Sequence, residues 1–406
     1  MASAIALIAT LDTKGPEVKY LKDRIEEKGG TVRIVDTGMR GAPQAVRADV
    51  SREEVAAAGG SSLAEVEKLE RGHAIEVMRR GLVKVMVAQH EGGAIAGALA
   101  IGGQDGALLA AHALQALPLG LPKMIVTPIA QGSEPFGPYV GTSDIIVMHS
   151  VIDILGVNAI SKKIFDQAAG AILGALDMGI SIDLKPAKTI AATMYGNTTP
   201  VMMVAKKRLE RLGYEVIVFH PNGTGGRAME EMIERGLFSA ILDMTTHEVT
   251  DELFGGFHAG GPERLEVAGR HGVPQLVVPG CVDFIIQGAR GDLPDKYAKR
   301  QTYYFNPEVT LVRLSPVEMQ RVGSVMADKL NKAEGPAAVL IPLGGFSAYA
   351  HPGGALHDEA GDRQFIDSLK NHLRPGIPVV EFDAHINDPA FAEKAVSMLL
   401  EVMPAE

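Results

Sequence analysis

Ala9–Gly38, ATLDTKGPEVKYLKDRIEEKGGTVRIVDTG, and Thr193–Gly223, TMYGNTTPVMMVAKKRLERLGYEVIVFHPNG, are two versions of one pattern. Each leaves a strand end, crosses a polar turn and an amphipathic stretch, and closes on a second run rich in Val and Ile. The pairing sets Asp12 and Thr13 opposite Asn197 and Thr198, and Asp36 opposite His220. Further along, RRGLVKVMV resembles ERGLFSAIL, and GLPKMIVTP resembles GVPQLVVPG, in the same order. Short apolar runs (Ile5–Ala9, Val32–Val35) alternating with helical ones (Glu17–Lys28) build strand–crossover helix–parallel strand units. The fold class is therefore α/β: two tandem Rossmann-like domains, each a mostly parallel sheet with helices on both faces.

A chain of 406 residues exceeds what one hydrophobic core sustains. The joint is expected in ISIDLKPAKT (Ile180–Thr189), where Pro186 precedes a fresh strand, giving domains 1–183 and 184–406. The first half carries an insertion from Gly41 to Gly81, with a helix expected over Leu63–Arg80. At the far end Asp388 is placed to cap, and Pro389 to begin, a closing helix.

A formal charge of −10 leaves no cationic footprint for nucleic acid or an anionic membrane. No apolar stretch approaches the roughly 20 residues of a membrane span. The single cysteine, Cys281, allows no internal disulfide, and MASAIALIATLDTKG has no basic segment before its apolar run. A reducing, cytoplasmic setting with small-molecule or protein partners is the expectation. Cys281 itself reads as a small buried thiol.

In open parallel sheets ligands gather beyond the carboxyl ends of the strands. The first such loop, Asp12-Thr13-Lys14-Gly15, offers a lysine and main-chain N–H groups at a helix start, suited to phosphate; the same Asp and Thr could simply cap the helix. The spacing of a P-loop is absent from the chain. Asp36, after the second strand, occupies a position that commonly holds a ribose hydroxyl. The third loop, Gly102-Gly103-Gln104-Asp105-Gly106, lets the backbone approach an anion, although Asp105 would repel a phosphate unless Mg2+ or a capping role offsets it. The Gly/Pro/Ser-rich segment Thr127–Ser143 reads as a binding loop or lid.

The second half collects polar groups after its strands: His220, Gly223, Thr224, Gly225, Gly226 and Arg227; Asp243, Thr245, Thr246 and His247; Asp283; Gly344, Gly345 and Ser347; Asp383, His385, Asn387 and Asp388. Gly223, Gly225 and Ala228 fit a relaxed dinucleotide fingerprint, which would make the protein an NAD(P)-dependent oxidoreductase. That fingerprint belongs after the first strand of a domain, and this loop follows the second. It reads instead as a substrate-anion site, Gly223–Gly226 N–H groups with Arg227 beside them. His220, Asp243, His247, Asp383 and His385 are the candidate acid/base residues, and the Asp-x-x-x-His and Asp-x-His pairs among them could equally ligate a divalent metal.

TLDTKGPE, the run from IGGQDG through ALPLGLPKMIVTPIAQG to YVGTSDI, then FHPNGTGGRAMEEMI, LDMTTHEVTDEL, PLGGFSA and DAHINDPAFA together resemble the Tm-one-like ATP-binding family. That uncharacterised family is named after a tomato protein that blocks tobamovirus replication by binding the viral helicase domain. The resemblance spans essentially the whole chain. It implies a two-domain, homodimeric α/β protein that binds ATP through the first domain; Mg2+, which would offset Asp105, is the companion ion to look for. One departure stands out: a third loop expected near Gly-Gly-Ser-Gly-Gly-Thr reads Gly102-Gly103-Gln104-Asp105-Gly106-Ala107 here, adding a carboxylate.

The expected function is that of an ATP-binding metabolic enzyme acting on a small anionic substrate. Lys14 and the Gly102–Gly106 backbone would hold phosphates, Asp36 the ribose, and the second domain would hold the substrate. A non-catalytic, nucleotide-responsive interaction module is the alternative.

Overall fold

The structure is a computed structural model that describes residues 4–130, 137–179 and 185–404. The Thr127–Ser143 lid and the Ile180–Thr189 joint fall partly outside the described residues. The chain divides into two compact units, Met1–Ile182 and Asp183–Glu406.

The first unit is a five-stranded sheet of β1 (Ala4–Ala9), β2 (Val32–Asp36), β3 (Ile95–Ile101), β4 (Lys123–Thr127) and β5 (Ile145–His149). Its order is β2-β1-β3-β4-β5, and every pair is parallel. All six residues of β1 are buried, because helices cover both faces. Leu11, Val18, Leu21 and Ile25 of helix Leu11–Glu27 pack on one face together with Phe165 and Ile172 of helix Ala159–Met178. Helices Arg52–Ala58, Arg71–Glu91 and Gln104–Gln115 cover the other with Val55, Met78, Leu82 and Leu114.

Two glycines in this unit are set by close approach. A Cβ on Gly15 would lie 2.1 Å from the carbonyl oxygen of Gln44, so glycine here admits the strap that follows β2. Gln44 also donates its amide to the Asp12 carbonyl at 2.7 Å. That carbonyl is the one Pro16, which lacks an N–H, cannot satisfy four residues on. A Cβ on Gly81 would lie 1.8 Å from the Val55 carbonyl oxygen, so the crossing of helices Arg52–Ala58 and Arg71–Glu91 requires glycine there.

The helix expected over Leu63–Arg80 is two helices. Ser62 and Glu65 close a capping box on Leu63–Val66, and a fresh helix starts at Arg71. RRGLVKVMV is therefore helical, and its pairing with ERGLFSAIL, which enters a strand, does not hold. A short apolar run reads the same way in a buried helix and in a strand.

In the second unit β6 (Thr189–Thr193), β7 (Glu215–Phe219), β8 (Ala240–Asp243) and β9 (Gln275–Val277) precede a three-stranded antiparallel sheet of β10 (Phe284–Gln287), β11 (Thr302–Asn306) and β12 (Val309–Arg313). β13 (Ala337–Pro342) and β14 (Val379–Phe382) then complete a parallel sheet of order β14-β13-β9-β8-β6-β7. Both units place their first strand inside and their second at the edge. The antiparallel insertion has no counterpart in the sequence expectation. Pro389 does begin the closing helix, Pro389–Val402, but the Asp388 carboxylate turns back to accept from the His385 N–H at 2.9 Å and does not cap it.

Candidate functional sites

In sheets of this order the crossovers leave the first strand in opposite directions, opening a crevice at the carboxyl ends of that strand and the third. In the first unit a cavity of about 380 Å³ lies there, lined by Thr10, Asp12, Thr13, Lys14, Arg40, Arg71 and Gly103–Gly106. Helix Gln104–Gln115 begins at its wall with Gly103 as the N-terminal flank and, among the described residues, no side-chain cap. Its first N–H groups carry the positive end of the helix dipole. An added Cβ at Gly103 or Gly106 would meet nothing within 4 Å, so backbone stays open to the cavity at both; Gly102 is buried and tightly packed on Gly106 and Ala107.

Asp105, the carboxylate that would repel phosphate, is paired with Arg71, whose Nε donates to Oδ2 at 2.8 Å. Lys14 lines the cavity and also donates Nζ to the Ile154 carbonyl. Asp12 leaves Oδ1 buried with no hydrogen-bond partner among the described residues.

Asp36 is not where a ribose would need it. It is 1% exposed and is absent from the cavity lining, and its Oδ1 accepts from the N–H groups of Leu11 at 3.0 Å and Gly38 at 2.8 Å. Burial raises its carboxyl pKa, against the pull of those two donors. It braces the start of the first helix, taking an N–H the helix cannot satisfy internally. A larger cavity of about 640 Å³ sits at the amino ends of β1 and β2, by Ile5 and Gly29–Thr31, away from the loops that carry functional groups.

In the second unit the Gly223–Gly226 turn is already filled. The Glu248 Oε1 accepts from the N–H of Gly223 at 2.6 Å and of Gly226 at 3.1 Å, and Arg227 Nε donates to the Gly223 carbonyl at 2.8 Å. An internal carboxylate thus holds the place that the sequence reading assigned to a substrate anion; Thr224 and Arg227 are exposed beside it. A Cβ on Gly226 would fall 1.9 Å from Glu248 Oε2, which is why glycine stands there.

Glu248 belongs to a buried knot around Arg264. Arg264 is 1% exposed and donates to Glu248 at 2.7 Å, to both Asp243 oxygens at 2.5 and 2.8 Å, and to Glu230 at 3.2 Å. Thr193 adds a hydrogen bond to Asp243 at 2.7 Å. Asp243 is a structural anion here and does not serve as a partner for His247. Burial pushes the Glu230 carboxyl up, with Arg264 opposing.

His247 stands instead beside groups that the sequence reading missed. Helix His247–Phe254 places His247 and Asp251 one turn apart on one face, with Nε2 and Oδ2 3.2 Å apart. Asp251 also accepts from the backbone N–H of His258 at 2.8 Å and of Ile286 at 3.1 Å. Tyr195 contacts His258 Nδ1 through its hydroxyl and stacks on His220 with ring centroids 4.9 Å apart. Its ring lies 5.4 Å from that of His247. Burial opposes charge on His247, but the Asp251 carboxylate wins and raises its pKa. Burial, then His247, push His258 down to about 4. Cys281 is buried, its thiol pushed well above the ordinary value by that burial. The backbone there takes a left-handed φ of 60°, and its carbonyl meets His247 Nδ1 at 2.8 Å.

Asp383 and His385 do not join this group. Asp383 is exposed, while His385 shares Nε2 with the Ser347 carbonyl at 2.9 Å and Nδ1 with the Asn387 N–H at 3.1 Å. The two Asp/His pairs therefore form no common metal set. Among the described residues, His247, Asp251 and His258 do bring three ligating atoms within 4.8 Å of one another. The His-x-x-x-Asp spacing in LDMTTHEVTDEL was the signal available for it.

Residues 3–180 match the N-terminal domain, and residues 187–403 the C-terminal domain, of "Uncharacterised protein family (UPF0261)". The chain belongs to that family. The UPF0261 protein of Clostridium tetani is 39% identical over 99% of this chain and 100% of its own length. UPF0261 protein RA0729 of Rhizobium meliloti is 37% identical over 98% of each. "ToMV resistance protein Tm-1(GCR237)" of Solanum lycopersicum is 34% identical over 82% of this chain but only 45% of its own length, which bears out the resemblance drawn from the motifs. UPF0261 membership and the two-domain α/β fold agree with each other. No described helix is long and apolar enough to cross a membrane.

Proposed function

We propose that this UPF0261 protein binds ATP in the first unit and is a metabolic enzyme whose chemistry belongs to the histidine cluster of the second. The observation that carries the reading is the uncapped helix start at Gln104 facing a cavity that also receives Lys14, Arg40 and Arg71. Backbone N–H groups, a helix dipole, Lys14 and Arg40, with Arg71 held on Asp105, are a setting for a chain of phosphates. The ribose role given to Asp36 passes to Asp12, the carboxylate that lines the cavity at the start of the first helix.

Calorimetric titration with ATP, with and without Mg2+, tests the first half. Lys14→Ala is expected to weaken ATP by about tenfold, the loss of one charge-assisted contact. A wild-type chain that gives no heat with ATP under either condition overturns the reading. Asp105→Asn carries the opposite expectation. Removing that carboxylate frees Arg71 for phosphate and should tighten ATP several-fold, and a weaker ATP affinity in this variant would mean that Arg71 must stay paired. For the second half, turnover is sought with acids, sugars and nucleotides as co-substrates. ATP binding with no turnover across that panel assigns the chain to a nucleotide-responsive interaction role instead.

A further inference from the structure

We infer that His247, Asp251 and His258 form a binding site for one divalent first-row transition ion, Zn2+, Mn2+ or Fe2+. Two imidazoles and one carboxylate are a donor set these ions take, three protein ligands leaving coordination open to water or substrate. The three ligating atoms lie within 4.8 Å of one another, so one ion can reach all of them.

The independent observation is His247 Nε2, on a side chain that is fully buried and has no hydrogen-bond partner among the described residues. Its other nitrogen, Nδ1, is 2.8 Å from the Cys281 carbonyl, an acceptor that holds the proton on Nδ1, so that in the neutral ring Nε2 carries the lone pair a metal takes. That lone pair faces Asp251 Oδ2 at 3.2 Å. Two electron-rich atoms so placed repel one another unless a proton or a cation stands between them. A proton on Nε2 would answer Asp251 alone, whereas a cation can take Nε2, the Asp251 carboxylate and His258 together.

Asp251 is prepared in the same sense. The N–H groups of Ile286 and His258 hold its two oxygens in place without neutralising the carboxylate, the outer-partner arrangement that orients metal ligands. Tyr195, in contact with His258 and stacked on His220, closes one side of the cluster. His258 is only partly buried and supplies the approach from solvent. The inference does not depend on nucleotide in the first unit.

The test uses the full chain without nucleotide, stripped by chelator and titrated with Zn2+, Mn2+ and Fe2+ in turn, the last without oxygen. Expected is one ion per chain for at least one metal, with a raised melting temperature. Asp251→Asn, nearly isosteric, and His258→Gln, at the partly exposed position, should each weaken that ion by more than the roughly 10–100-fold that loss of an outer partner costs. Circular dichroism unchanged from wild type in His258→Gln keeps the comparison free of misfolding. Failure of the wild-type chain to take up any of the three ions, or wild-type affinity in both variants, overturns the site. Loss of ATP binding alone overturns the nucleotide reading and leaves this one standing.

Discussion

Arg264→Ala is expected to destabilise the second unit by about 3–5 kcal/mol, the cost of leaving buried charge without its partner. The guanidinium has no exposed alternative, and Asp243, Glu248 and Glu230 all converge on it. Without it, three carboxylates share one desolvated space. Glu248 would also lose its place under the Gly223 and Gly226 N–H groups, so the start of helix Thr224–Glu234 should loosen with the knot. Urea unfolding read by tryptophan-free probes, circular dichroism or tyrosine fluorescence, measures the loss. Arg264→Lys should recover only a fraction, because an ammonium cannot reproduce the paired contacts to Asp243 while reaching Glu248. An Arg264→Ala chain as stable as the wild type would show that the knot contributes specificity and little free energy.

Gly81→Ala is expected to destabilise the first unit by about 1–3 kcal/mol or somewhat more, through overpacking. The new methyl would meet a backbone carbonyl, Val55 O at 1.8 Å, and a backbone cannot rotate away as a side chain can. Helix Arg71–Glu91 must therefore shift off helix Arg52–Ala58. The same long helix carries Arg71 and Ala74 into the cavity wall, so ATP should bind more weakly as well. Thermal melting measures the first effect and calorimetry the second. Unchanged melting with weakened ATP would separate the helix shift from stability; unchanged values of both would mean that the crossing yields cheaply.

The two outcomes bear on different kinds of information in the chain. Gly81 lies just past the helix expected over Leu63–Arg80, in a run that reads equally as helix or strand, and nothing around it in the sequence announces a helix crossing. Arg264 lies in GPERLEVAG, where an arginine between charged neighbours looks like surface, and only its coordinates show it among the largest fully buried side chains. The same limit governs the candidate sites. That Lys14 and Gly103–Gly106 would line one cavity was readable because loops at strand ends of a parallel sheet converge by topology, whatever the details of packing. Asp36, Asp243 and Glu248 were not, because a carboxylate after a strand can face a ligand or turn inward to an N–H or an arginine. That choice is made by neighbours remote in sequence: Leu11 for Asp36, Arg264 for Asp243, Gly223 for Glu248.

Local order was written in the chain itself. Alternating Val/Ile runs and amphipathic stretches, repeated across two halves, dictated two parallel α/β units, since strand and helix periods depend on neighbours a few residues away. The ordered motifs of the strand-end loops likewise carried the family. Tertiary structure alone decided that β10–β12 form a separate antiparallel sheet, that the glycine turn after β7 holds an internal carboxylate, and that His247 meets Asp251 and His258 rather than Asp243. The carboxylate under the glycine turn and the arginine that takes Asp243 from His247 come from other elements, in an interior where each buried polar group must find a partner and no short stretch of sequence states which one.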